Sequence, residues 1–230
     1  MKVLKFGGTS VANAENIRKV KSILNETTET TQVVVVSAFG GVTDKLLSAG
    51  AMASQRDEEF TQTLTDIEQR HLTTIKELLP VTKQSSVLSK VKSQLNVLET
   101  LLEGAFLIGE LTPKLSDRIV GYGELLSSYI ISEFLKEEGL STSFKDSREL
   151  IVTDASFGNA QVDFTATGQR CRDYFSSVVN DIIILPGFIA ASKTGDYTTL
   201  GRGGSDFTAA IVAGCIDAES LEIWTDVSGM

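Results

Sequence analysis

The sequence predicts an α/β protein: a three-layer αβα sandwich around a mainly parallel central sheet. Strand-like apolar runs recur at VLKF (3–6), QVVVVS (32–37), DIIILPGFIA (181–190) and SLEIWTDV (220–227), with helical stretches between them. Runs such as VVVV and IIIL are apolar on both faces, as central parallel strands covered by helices require. A chain of 230 residues with 42% hydrophobic content is long enough to bury a core in one large domain or two small ones. Ligands in such sheets bind beyond the carboxyl ends of the strands, so the polar residues after each run are the place to search.

The first run, MKVLKF, passes straight into Gly7-Gly8-Thr9-Ser10 and then the helical stretch NAENIRKVKSIL. Strand, glycine turn and helix form a layout that cradles phosphate. Lys5 lies two positions beyond Val3 and so points to a similar side, near that turn. Thr9, Ser10 and Asn13 are able to cap the helix or donate to an anion. The spacing matches neither the Walker pattern nor GxGxxG. The plain alternative is a lysine that guards an edge strand, followed by an ordinary turn.

After VVVV come Ser37 and then Gly40-Gly41-Val42-Thr43, which lead into DKLLSAGAM. From about residue 43 to 138 the alternation gives way to helical periodicity with long polar faces, which predicts a helical insertion, and Pro80 and Pro113 mark breaks within it. Inside it, LSDRIVGYGELLSSYIISEFL places Glu124 just past Gly121-Tyr122-Gly123 on an otherwise apolar helix. Taken alone, Glu124 reads as a solvated flank residue; its other reading is a partner for a bound ammonium group.

The run 181–190 carries Gly187 and Phe188, and ASKTGDYTTLGRGG beyond it reads as a hairpin turning at Thr194-Gly195-Asp196, placed to lie over a site. Next comes the most informative stretch, TTLGRGGSDFTAAIVAGC. It puts a cation (Arg202), a glycine nest (Gly203, Gly204), an N-cap candidate (Ser205) and a first-turn carboxylate (Asp206) at one helix start, which is equipment for holding an anion. Thr225 and Asp226 follow the last apolar run.

Composition narrows the function classes. A net charge of −9 argues against a nucleic-acid surface. No apolar run is long enough to span a bilayer, and the start lacks a signal peptide's apolar segment, so a cytoplasmic address is expected, with no membrane partner. Cys171 and Cys215 lack metal-site or disulfide spacing and read as reduced thiols. The single histidine, His71, lies in the polar stretch IEQRHLTTIKELL and is expected to be solvated, which leaves neither a common zinc site nor histidine base catalysis. No metal-ligating set of protein side chains is predicted.

Six ordered blocks, KFGGTSVANAENI, VVVVSAFGGVTDKLL, VGYGELLSS, PGFIA, TTLGRGGSDFTAA and EIWTDVSG, resemble the aspartate kinase family over nearly the whole chain. The resemblance implies the amino-acid-kinase (carbamate-kinase-like) fold, and the start and helical insertion look most like the bifunctional aspartokinase/homoserine dehydrogenase branch or the lysine-sensitive single-function branch, the former more than the latter. It implies transfer of the ATP γ-phosphoryl group to the β-carboxylate of L-aspartate to give 4-phospho-L-aspartate, the first step toward lysine, threonine and methionine, with ATP and Mg²⁺ required. That acceptor is ionised at neutral pH and needs no general base, so catalysis would rest on positioning and charge neutralisation.

By match of motif, Lys5 and Asp206 are the catalytic residues, Lys5 bridging phosphate oxygens and Asp206 orienting lysine or organising the site around the metal. Arg202 would pair with the substrate α-carboxylate and Glu124 with its α-ammonium, while Ser37, Thr43 and Ser205 would hydrogen-bond carboxylates and Phe188 would wall the pocket. Gly7, Gly8, Thr9, Gly203, Gly204, Thr225 and Asp226, with Lys5, would contact ATP. Against the family pattern the sequence stops at TDVSGM, so the expectation is a kinase catalytic domain over residues 1–230 cut short at its C-terminal end. The paired ACT regulatory domains and any dehydrogenase would be absent, the fragment would turn over weakly or not at all, and the full-length enzyme would be a homo-oligomer. Two alternatives stay open: a kinase of the same fold acting on glutamate, acetylglutamate or UMP, and a non-catalytic assembly or sensor module.

Overall fold

The computed structural model describes residues 1–26, 31–178 and 182–225. Five parallel strands form the main sheet in the order β3 (Thr142–Phe144), β5 (Ile182–Pro186), β2 (Gln32–Val36), β1 (Lys2–Phe6), β8 (Ser220–Trp224). The register pairs Lys5 with Val35 on one side and with Ile223 on the other. Since β1 lies between two strands, Lys5 is not an edge lysine.

Strand alternation divides the core between two faces. Leu4, Phe6, Val34, Val36, Ile182 and Ile184 pack against α1 (Ala14–Asn25), α2 (Val42–Ser54), α3 (Phe60–Leu78), α4 (Val81–Ile108), α5 (Pro113–Val120) and α6 (Tyr122–Glu137). Val3, Val33, Val35, Ile183 and Leu185 pack on the opposite side with α7 (Phe164–Phe175) and α8 (Gly204–Cys215). Helices thus cover both faces of a parallel sheet, which is the three-layer sandwich expected. Lys5 shares its parity with Val3 and so points to the α8 side.

Between β2 and β3 the chain is helical from α2 through α6. The two prolines act as read: Pro80 is the N-cap of α4, and Pro113 opens α5, where Thr112 accepts from the Leu115 N–H. The run 181–190 departs from expectation. It forms two strands in different sheets, β5 and β6 (Ile189–Ser192), separated at Gly187 and Phe188, and Phe188 has a left-handed backbone (φ 67°). β6 joins a small second sheet, parallel to β4 (Val152–Thr153) and antiparallel to β7 (Tyr197–Thr199). The β6–β7 hairpin turns where read, with the Ser192 N–H donating to the Asp196 carbonyl at 2.8 Å.

His71 corrects an expectation: it is fully buried on α3, its ring stacked on Phe39 with centroids 5.0 Å apart. Burial lowers its pKa from 6.5 to about 4. Its Nδ1 lies 2.7 Å from the Ile67 carbonyl, and Nε2 finds no hydrogen-bond partner among the described residues. The residues Leu64, Ile67, Ile75 and Leu78 recur at helical spacing around it and are all buried, so His71 belongs to the apolar stripe of α3.

Candidate active site

The carboxyl ends of β1 and β2, the start of α8 and the first turn of α6 enclose a cavity of about 360 Å³. Lys5, Gly8, Ser37, Thr43, Glu124, Phe188, Arg202, Gly203, Gly204, Ser205 and Asp206 all line it, joined by Asp44. Lys5 and Arg202 therefore border the same space. Lys5 is 8% exposed, and its Nζ lies 2.7 Å from Asp206 Oδ1. This ion pair ties the end of β1 to the first turn of α8.

Ser205 is not the N-cap of α8. The helix begins at Gly204, with Gly203, two residues before Ser205, as N-cap at φ 74°, a left-handed conformation that only glycine adopts without strain. Thr43 likewise sits inside the first turn of α2, whose N-cap is Gly41 at φ 79°. Neither helix has a side chain capping its first turn. Both N-terminal ends reach the cavity with no protein side-chain acceptor on their leading N–H groups, an arrangement suited to an anion.

Glu124 is buried, not solvated, with 4% exposure. Burial pushes its pKa up to about 8, against the smaller opposing effect of a hydrogen bond from the Ala38 backbone. Its Oε2 has no hydrogen-bond partner among the described residues. A buried carboxyl beside a cavity, with one oxygen unsatisfied, is under-partnered and suits a hydrogen-bond donor. The loop beneath it is held by Ser127, whose hydroxyl donates to the Ser37 carbonyl at 2.8 Å.

Not every residue read from the sequence faces this space. Thr9 and Thr225 line a separate cavity of about 200 Å³ between β1, β8 and α1, together with Trp224, which stacks on Phe6. Gly7 borders neither cavity; its N–H lies 3.5 Å from the Trp224 carbonyl, and a Cβ there would stand 3.4 Å from Lys5 Nζ. Asp226 lies outside the described residues. The β6–β7 hairpin packs beside α5, through Lys114–Asp196 and Asp117–Thr199 contacts, and does not line the site cavity. Sequence reasoning missed Asp117, a buried carboxylate of α5 that no motif marks. Among the described residues no group of three or more His, Cys, Asp or Glu is placed to hold a metal, and no helix is long and apolar enough to cross a membrane.

A parallel sheet covered on both faces, with a pocket beyond the carboxyl ends of its strands, is the layout of ligand-binding α/β proteins. The family model described as the amino acid kinase family matches residues 1–230, and this chain belongs to that family. It is 34% identical over 229 residues to the bifunctional aspartokinase/homoserine dehydrogenase 1, chloroplastic, of Arabidopsis thaliana, covering 99% of this chain and 25% of that protein. It is 33% identical over 238 residues to the lysine-sensitive aspartokinase 3 of Escherichia coli, covering 99% of this chain and 49% of that protein.

Among solved structures, E. coli aspartokinase III in complex with lysine and aspartate (T-state) superposes with a TM-score of 0.91 at 30% identity, over 100% of this chain and 50% of that one. The same enzyme with aspartate and ADP (R-state) gives 0.89 at 30% identity, over 100% and 50%. These relatives bear out the resemblance to aspartokinases. The chain spans a quarter to a half of the length of the relatives it matches.

Proposed function

We propose that this chain carries the aspartate-binding part of an aspartate kinase, which transfers the ATP γ-phosphoryl group to the β-carboxylate of L-aspartate. One observation carries the reading: a buried carboxyl with a free oxygen (Glu124), an arginine (Arg202) and a lysine-carboxylate pair (Lys5–Asp206) line one cavity. A free α-amino acid needs opposite charges for its two α-substituents. Glu124 would accept from the ammonium, and Arg202 would form a bidentate pair with the α-carboxylate.

The β-carboxylate would then point toward Lys5, with Ser37, Thr43 and Ser205 donating hydroxyls and Phe188 closing the wall. Two anions must approach each other in phosphoryl transfer, and Lys5, oriented by Asp206, would offset that repulsion together with backbone N–H groups of Gly8 and Gly203, which border the cavity, whereas those of Gly7 and Gly204 are held by the Trp224 and Gly201 carbonyls. Thr9 and Thr225, beside the cavity between β1 and β8, and Asp226 would contribute to the nucleotide side. Mg²⁺ would supply charge neutralisation on the phosphates. The residues present would suit an ion that takes most of its ligands from nucleotide and water, with Asp206 the carboxylate that would help hold it. The free thiols of Cys171 and Cys215 suit a reducing, cytoplasmic setting.

Isothermal titration of the chain with L-aspartate, N-acetylglutamate and UMP tests this reading. L-Aspartate binds, the acylated amino acid and the nucleotide monophosphate do not, and Arg202→Ala weakens aspartate binding by about 2–5 kcal/mol, as truncating one partner of a charged pair does. Preference for N-acetylglutamate or UMP, or an Arg202→Ala variant that binds aspartate as well as the parent, overturns it.

A further inference from the structure

Arg202 is exposed, and its side chain makes no hydrogen bond or ion pair among the described residues. Its position over the cavity is therefore set by the backbone that carries it. That backbone is anchored three residues earlier, at Thr199. Asp117 Oδ2 accepts from the Thr199 N–H at 3.0 Å and from the Gly158 N–H at 2.9 Å, and Asp117 Oδ1 accepts from the Thr199 hydroxyl at 2.8 Å.

The carboxylate is 4% exposed and forms no ion pair among the described residues. Its charge is met by these three donors, and bonds to an ionised acceptor are the stronger kind. The Gly158 loop in turn grips the approach to Arg202. The Ala160 N–H donates to the Thr199 carbonyl at 2.9 Å, and Gly201 passes so close to Asn159 that a Cβ there would stand 2.6 Å from its Oδ1. On the other side the Leu200 N–H donates to the Phe188 carbonyl at 2.9 Å.

We propose that Asp117 is a positioning residue: by clamping Thr199 to the Gly158 loop, it fixes the segment from which Arg202 reaches into the cavity. The assignment to substrate affinity rests on the reading of Arg202 as the carboxylate partner; the assignment to loop position does not. An asparagine at this position keeps the shape but turns an amide toward backbone donors and removes the charge.

Two measurements on the 230-residue chain test it. The first is limited trypsinolysis without ligand. Asp117→Asn accelerates cleavage after Arg202 by about tenfold, while cleavage at other sites keeps its rate, because local opening of the loop has become easier. Thr199→Val, which removes only the hydroxyl bond, gives a smaller acceleration in the same direction and serves where Asp117→Asn does not fold.

The second is a double-mutant cycle read by L-aspartate titration. Asp117→Asn weakens aspartate about tenfold in the parent and less than about twofold in the Arg202→Ala background, as expected when one residue acts through the other. Unchanged cleavage after Arg202 in both folded variants overturns the clamp. Equal weakening of aspartate in both backgrounds overturns the route through Arg202. A parent chain that binds no aspartate but whose Asp117→Asn variant is cut faster leaves the clamp standing and removes the functional reading instead.

Discussion

The Nζ of Lys5 stands 2.7 Å from Oδ1 of Asp206, joining the first strand to the start of α8. Asp206 is half-exposed, so the pair contributes little to stability, and the role proposed for it is to aim the ammonium. Lys5→Met keeps the aliphatic stem of a residue that is 8% exposed and removes the charge. The variant is expected to melt within a few degrees of the parent and to keep weakened but measurable L-aspartate binding through Glu124 and Arg202, while any aspartate-dependent ADP release is lost. Calorimetry and a coupled ADP assay check this; retained turnover would refute the role given to Lys5.

Glu124 yields a pH signature. Its folded pKa, raised by burial to about 8, exceeds the ordinary 4.5, so the unfolded chain gives up this proton first. Below pH 4.5 the group is neutral in both states and costs nothing. As pH rises toward 8 its burial destabilises the empty protein progressively, by about 3 kcal/mol at pH 7. Glu124→Gln is therefore expected to melt above the parent at pH 7 to 8 and level with it near pH 4.5, and to lose aspartate binding. A melting difference that does not grow with pH contradicts the assignment.

His71 acts in the opposite direction. Its folded pKa is depressed to about 4, so the stability that depends on keeping it neutral is fully present above pH 6.5 and is lost as pH falls toward 4. The loss attributable to this ring is about 3 kcal/mol over that window. His71→Phe keeps the stacking on Phe39 and has nothing to protonate. Denaturant melts at pH 7, 5.5 and 4.5 should show a smaller decline for the variant than for the parent.

Gly187 sits where the chain leaves the main sheet. A Cβ there would lie 2.6 Å from the Ser205 Cβ and 2.9 Å from its Cα, so backbone has to move. Gly187→Ala is expected to cost about 1–3 kcal/mol, as overpacking does. Because the displaced segment is the first turn of α8, aspartate affinity should fall with it. A variant that is less stable yet binds aspartate normally would separate this contact from the site.

The main strands were legible because VVVV and IIIL have no polar face to lose. The break at Gly187 and Phe188 was not, since apolar periodicity carries no information about a left-handed residue, and β3 and β4, of three and two residues, are too short to leave a pattern. The cluster at Arg202–Asp206 was visible from residue types and the helix that follows. Burial of polar side chains was harder to see. His71 stood among polar neighbours, though spacing to Leu64, Ile67 and Ile75 put it on the apolar stripe; Glu124 shares its buried face with Ser127 and Ser128, whose small size admits a carboxyl. Asp117 answers donors that come from β7 and a distant loop, a relationship that exists only after folding.

β1 lies between β2 and β8, pairing Lys2 with Ser220 and Phe6 with Trp224. β1 therefore waits for a partner made far later in the chain, and until β8 is made it holds only its β2 ladder. Any product released early would display an unpaired apolar strand margin of the sort that recruits other chains into aggregates. Expression yield, more than thermal stability, should thus be sensitive to translation pauses upstream of residue 220.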